Sequence, residues 1–409
     1  MKKIVSFFLL LVSALANAQS SGTAPTASPA ERSMAEANKA INKKPAQYAG
    51  YNLLAMALAR RARETSDVKF YGQAEDALKK SFELAPANLD GEKIRVWLLL
   101  GRHEFPAALQ AAQALNKRVP DDVLVYGFLT DANAELGNYD AAEKAAQWML
   151  DLRPGNLPGM TRAAYLRELF GDREGALELM NMAYQSTPPT ETEDRAWILS
   201  QIGHLHLMSG DTKAAETALQ QALALFPAYH YALGNLAKVR IIEKRYPEAV
   251  DLLQQRYRST PHAENLYELA EALELSGRPE EAKKAFVEFE TKSLQEAVRK
   301  DNSSRELIFF YADHAHQPAQ ALQVAEQERA WRHDVYTLDA HAWALHLTGK
   351  DKEARVEIEA ALKVGVRDPR MLRHAAEIAL ADGDRSAADH YLQGANVPNA
   401  TASGQTAAR

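Results

Sequence analysis

Prolines return along this chain at a fixed step. Pro86, Pro120, Pro154 and Pro188 stand 34 residues apart, Pro227 follows 39 later, and Pro261 another 34 after that. A proline lacks the backbone N–H that a helix interior needs, and its ring clashes with the preceding turn, so each one closes a helix. A second marker keeps phase with the first. Gly137, Gly171, Gly210, Gly277, Gly349 and Gly383 fall where two helices must reverse, and glycine takes the positive φ of such a turn without steric cost. A small residue follows each glycine at a constant offset, as Ala142, Ala176, Ala215, Ala282, Ala354 and Ala388, which lets neighbouring helices approach closely. A lone helix pair cannot bury its apolar stripe on both sides, so the pairs must stack on one another.

Composition agrees with a folded helical chain. Hydrophobic residues make up 46% and charged residues 25%, and Ala, Leu, Glu, Gln and Arg lose little rotamer freedom in helices. A net charge of −6 gives no general pull towards nucleic acid or anionic lipid, so neither is expected as a partner. The chain has no cysteine, which removes disulfides and thiolate zinc sites from consideration.

The two ends read differently from the middle. Lys2 and Lys3 precede a short apolar run from Ile4 to Ala16, and Ala16-Asn17-Ala18 offers the small-x-small pattern of a signal-peptidase site. Residues 1–18 are therefore expected to be a signal peptide cleaved after Ala18. The mature product is expected to be exported, to the periplasm of a Gram-negative cell, with no membrane span of its own. Residues 19–30 and 396–409, rich in small and polar residues, read as a flexible leader and a disordered tail. Between them the pattern predicts a solenoid over residues 31–395: a half-unit helix at 31–42, then about ten units from Gln47 onward.

This punctuation resembles the tetratricopeptide repeat family. The unit Ala196–Pro227 places Leu199, Ile202, Gly203, Gly210, Ala215, Leu219, Ala222 and Pro227 at the family's marked positions. Val123–Pro154 matches through Tyr126, Leu129, Gly137, Tyr139, Ala142 and Pro154. Departures occur at residues 64–69, which lengthen a turn, at Thr190 to Asp194, an insertion, and at His316, which stands in for a turn glycine. Glu290 to Asn302 fits the period poorly. The resemblance implies an all-α, right-handed superhelix whose first helices line a concave face.

Motifs for catalysis are not found: no Gly-rich phosphate loop, no G-x-S-x-G elbow and no H-E-x-x-H helix. His204 and His206, like His314 and His316, are two apart, which on a helix points the rings about 200° apart. No metal, cofactor or enzymatic activity is therefore expected. Mapping the family's groove positions onto this chain gives Trp97, Asp131, Tyr165, Trp197, His204, Tyr231, Lys238, Tyr267, Glu271, Phe310, Tyr336, Trp343 and His346 as the expected lining. Rigid aromatic rings provide contact area at small entropic cost. Glu264, Glu271, Glu274, Glu306, Asp313 and Asp339 form an acidic strip with no cation mapped beside them, which favours a partner segment bearing Lys or Arg.

The expected function is a protein-interaction scaffold that holds a peptide or protein in its groove during envelope assembly or export. The alternative is a component of exopolysaccharide synthesis or secretion with sugars stacked on the rings. Replacing Trp197 or Trp343 by Ala is expected to weaken binding without unfolding the array. The polar last unit, with Arg370, Arg373, Asp389 and His390, reads as a cap and favours a monomer.

Overall fold

Among the described residues, ten helix pairs reverse direction, each through a residue of positive φ. The six turn glycines hold φ between 74° and 84°, while Ser66, His103, Lys244 and His316 occupy the same place in the remaining pairs. An L-residue in that conformation costs roughly 1–2 kcal/mol, so these four turns are held by the packing of the helices they join.

The computed structural model describes residues 27–296 and 304–395. The expected signal segment (1–18), most of the expected leader and the expected tail fall outside the described residues, as does part of the irregular stretch from Glu290 to Asn302. A single helix, α1 (Pro29–Lys43), opens the array. The pairs follow: α2 (Tyr48–Thr65) with α3 (Lys69–Leu84), α4 (Leu89–Gly101) with α5 (Phe105–Arg118), and α6 (Val123–Glu135) with α7 (Tyr139–Leu152). Next come α8 (Leu157–Leu169) with α9 (Arg173–Ser186), α10 (Thr192–Met208) with α11 (Thr212–Leu225), and α12 (His230–Ile242) with α13 (Tyr246–Ser259). The last four are α14 (Ala263–Leu275) with α15 (Pro279–Glu296), α16 (Arg305–Phe309) with α17 (Pro318–Arg329), α18 (Val335–Leu347) with α19 (Asp351–Lys363), and α20 (Pro369–Ala381) with α21 (Arg385–Gly394). Helix α16 continues as one π-helical turn, Phe310–His314. No strand occurs among the described residues.

Packing within and between pairs rests on small residues. Ala142, Ala176, Ala215, Ala282, Ala354 and Ala388 are all fully buried, so the two helices of each pair meet nearly backbone to backbone. At Gly203 an added Cβ would lie 2.6 Å from Leu219, itself fully buried. Helix starts are satisfied locally. Asn156 accepts from Gly159 N–H and donates to the carbonyls of Met149 and Arg153, tying one unit's end to the next unit's start. First helices of adjacent pairs pack directly on each other, α2 on α4, α4 on α6, α10 on α12 and α18 on α20, which curls the row with these helices inward.

The curl is tight enough that the chain meets itself. Tyr139 Oη accepts from Val335 N–H, 196 residues away, and Arg173 Nη2 donates to the carbonyl of Arg367, 194 residues away. One superhelical turn thus takes roughly six units, and successive turns touch. Gly171 and Gly365 approach closely: both have positive φ, and a Cβ on Gly171 would stand 2.6 Å from the carbonyl oxygen of Gly365.

Two departures from the repeat pattern meet at the other end of this seam. The lengthened α2 and its Ser66 turn reach the extra first turn of α10, which the insertion at 190–194 provides. Arg60 Nη2 lies 2.5 Å from Glu191 Oε2 and 3.1 Å from Asp194 Oδ2, and Arg63 pairs with Glu193 and, at 2.5 Å, with Asp194. Ser66 Oγ lies 3.0 Å from His230 Nε2, and its carbonyl contacts the His262 ring.

The two ends of the seam differ in kind. One apolar cluster joins Ala134, Leu166 and Leu169 of the first turn to Val335, Leu338 and Met371 of the second. The cluster under α2, from Ala55 to Leu98, holds only first-turn residues. There the turns meet through charges and hydrogen bonds.

Candidate functional site

Close winding decides which inward side chains remain accessible. At the N-terminal end, a cleft of about 360 Å3 lies between α1, α2, α4 and the tip of α10. Ser33, Glu36 and Ala37 form one side, Leu53, Met56 and Ala57 the floor, Trp97 a wall, and Arg60, Arg63 and Asp194 the inner end. Leu53 and Met56, one turn apart on α2, are 55% and 42% exposed, although both are apolar and face inward. Trp97 is half-buried, with its ring against the clusters beneath α2 and α4.

The inner end of the cleft is electrostatically fixed. Burial on its own would lower the Arg63 pKa, but the charges of Glu193 and Asp194 outweigh it and hold the guanidinium protonated. Glu193 is fully buried and also accepts from Tyr229 Oη at 2.7 Å. Burial pushes the His230 ring down to about 3, so it is a neutral hydrogen-bonding group across the ordinary pH range.

Further along, the inward residues are polar and paired. Asp131 accepts from Arg162 Nη2 at 2.5 Å, His204 Nε2 lies 2.7 Å from Glu168, and Lys238 Nζ lies 3.4 Å from Glu268. Tyr165 and Trp197 are half-buried and pack against the core. Tyr231 is 37% exposed, yet desolvation raises its hydroxyl to about 12. Burial likewise raises Tyr336 well above the usual phenol range.

The C-terminal part of the expected groove is core. Tyr267, Glu271, Phe310 and Trp343 are each less than a tenth exposed. Trp343 stacks on His374 with centroids 4.3 Å apart and donates from Nε1 to Asp313 at 2.8 Å. Tyr267 packs on Phe289 at 5.2 Å. His346 is half-buried, with Nδ1 2.7 Å from Asp351. These residues face inward as the mapping placed them, but the last units fold in against α14 and fill the space a ligand would need. The expectation that Trp343 could be removed without harming the array is therefore corrected: its ring belongs to the core.

The acidic strip is corrected as well. Arg256 stands 3.9 Å from Glu264, Arg370 3.3 Å from Glu271, and Arg305 3.0 Å from Glu306. His314 Nδ1 lies 3.0 Å from Glu274, and His374 Nδ1 2.8 Å from Asp339. Burial would lower His314, but hydrogen bonds with Glu271 and Glu274 outweigh it and raise the ring to about 9. The strip is neutralised from within, so it makes no call for a basic partner. Arg256, His314, Arg370 and His374 come from other units, while Arg305 is the sequence neighbour of Glu306. Leu53 and Met56 escaped because the mapping began at Trp97; the spacing Leu53, Met56, Arg60, Arg63 on one face of α2 was the available signal.

Residues 95–156 and 201–264 match the tetratricopeptide repeat family. The fold is a tetratricopeptide-type α-solenoid. Similar solved structures include a chain of the APC/C hetero-tetramer Cut9-Hcn1, with a TM-score of 0.51 and 14% identity over 85% of this chain and 58% of that one. This solenoid therefore spans little more than half the length of that relative. A second is the human IFIT1 dimer with m7Gppp-AAAA, with a TM-score of 0.50 and 11% identity over 89% of this chain and 94% of that one. At these identities the likeness concerns the fold, and the capped RNA is a ligand of that protein. No curated protein matches the solenoid by sequence. No helix among the described residues is long and apolar enough to cross a membrane, and no cluster of His, Asp or Glu there could hold a metal ion.

Proposed function

We propose that the chain is an exported, monomeric interaction scaffold of the periplasm that binds a segment of a partner protein in the cleft of its first units. The solenoid fold is one typical of protein-protein scaffolds, and the reading is non-catalytic. The observation that carries it is the exposure of Leu53 and Met56 on the inner side of α2, facing Trp97. Exposed apolar side chains in a concave site mark binding rather than packing, and methionine adapts its shape to an irregular guest. A volume of about 360 Å3 admits one or two side chains of a segment, with Glu36 and Asp194 in its lining, and excludes a folded domain.

Photo-crosslinking in cells tests this reading. A benzoylphenylalanine at Leu53 should capture one defined partner, a second at the outward Val356, 67% exposed, should not, and Met56→Ser should abolish the capture. Equal capture from both positions would overturn the site. Retention of polysaccharide with no protein would favour the secretion reading.

A further inference from the structure

We infer that Arg60, Arg63 and the acidic tip of α10 form an openable clasp that assembles the cleft by closing the first superhelical turn onto the second. The cleft's lining draws on residues 33–97 and on Asp194, so its inner end exists only while α2 is docked on α10. Regulation of the cleft in this way rests on the proposed function; the clasp itself does not.

Three observations make this end of the seam the one that opens. Its contacts are polar: Arg32 Nη2 donates to the carbonyl of Thr190 at 3.3 Å, Arg60 and Arg63 face Glu191, Glu193 and Asp194, and Ser66 meets His230 and His262. Water can solvate every one of these groups once they separate, whereas parting the other end would expose an apolar cluster continuous from Ala134 to Met371. The inner atoms are also incompletely satisfied. The Nε groups of Arg60 and Arg63 are buried without a hydrogen-bond partner among the described residues, which reduces what closure gains. Finally, both halves of the clasp are additions to the repeat, the lengthened α2 and the inserted 190–194 turn, although Glu193 also ties its own unit to the next through Tyr229.

A partner held in the cleft touches both turns, so it favours the closed state by its differential affinity, and an opened clasp binds it more weakly by the same factor. Closure and capture are linked.

The full-length mature chain has no native cysteine, so Asp76→Cys on α3 and Lys213→Cys on α11 carry unique spin labels on the two turns. Pulsed electron paramagnetic resonance should give one narrow distance in the parent. Arg60→Glu, which places like charges at the clasp, should shift and broaden it to longer distances with helicity unchanged. Adding Glu191→Arg and Asp194→Arg should restore it. Peroxide oxidation supplies an independent readout: Met56 should oxidise several-fold faster in Arg60→Glu, while Met182, 46% exposed on α9, keeps its rate. An unchanged distance with unchanged Met56 oxidation overturns the clasp. Should both respond while crosslinking from Leu53 stays at the parent level, the linkage to capture is overturned. Loss of crosslinking already in the parent refutes the proposed function and leaves the clasp standing on the distances alone.

Discussion

Arg63 on α2 and Glu193 on α10, 130 residues apart in sequence, form an ion pair whose carboxylate is fully buried. The pair joins two turns of the superhelix, so its strength is part of the tertiary fold rather than of either unit. Removing one partner of such a pair leaves the other charge buried and uncompensated, at about 3–5 kcal/mol. Arg63→Ala is expected to lose about 3 kcal/mol, since Arg63 itself is partly exposed. Arg63→Met with Glu193→Gln should lose less than the sum of the two single changes. Urea unfolding of the four proteins checks this, and strict additivity would show that the pair is uncoupled.

Trp343 and Trp97 should separate cleanly. Trp343→Ala opens a cavity among buried rings and strips Asp313 of its indole donor, at about 3–5 kcal/mol. Trp97, half-buried beside the cleft, should cost roughly 1–2 kcal/mol. Equal melting temperatures for the two variants would contradict the division between core and cleft.

Stability should fall as pH rises through neutrality. Burial raises Glu135 and Glu328 to about 7, and both share Arg332 with Asp334; Asp131 adds negative charge near Glu135, and Arg305 opposes it. Their folded values lie above the unfolded carboxylate value of 4.5. The native state therefore holds these protons more tightly. The contribution is complete below about 4.5 and lost as pH passes about 7. Glu328→Gln should flatten the melting temperature between pH 5 and pH 8, as read by calorimetry. A parent that gains stability over that interval while the variant does the same would refute the assignment.

Gly171 and Gly210 share a turn geometry but not an environment. Nothing lies within 4 Å of a Cβ placed on Gly210, whereas one on Gly171 would stand 2.6 Å from the Gly365 carbonyl. Gly210→Ala should cost about 1–2 kcal/mol for its backbone conformation. Gly171→Ala should cost that and about 1–3 kcal/mol more for forcing the turns apart. Thermal unfolding decides, and equal costs would mean the turns do not touch there.

The N-terminal segment makes a prediction of its own. Intact mass of the exported product should correspond to a chain starting at Gln19, and a substitution such as Ala18→Leu should leave the precursor uncleaved. A product retaining residues 1–18 would contradict export by this route.

Repeats are legible in sequence because their signals are local. A proline, a turn glycine or a buried alanine announces its role within its own unit, and even His316 kept the turn geometry of the glycine it replaces. The inward face of each first helix was mapped on the same basis, and one residue of that mapping, Trp97, lines the cleft of the first units. What stayed hidden depends on the number of units per superhelical turn. Trp343 and Tyr267 became core because the units next to them close over their rings, and Glu271 acquired a cation because a distant unit arrives on top of it. Arg370 lies 99 residues from Glu271, a separation that no periodicity indicates. The lengthened α2 and the inserted turn at 190–194 were visible as irregularities, but only the winding shows that they are partners.

The most direct test is the affinity of the crosslinked partner's captured segment, measured by calorimetry against the mature chain and against Leu53→Ser combined with Met56→Ser. A loss of tenfold or more, which is about 1.4 kcal/mol, with an unchanged melting temperature is predicted. Undiminished binding by the double variant would contradict the cleft as the site.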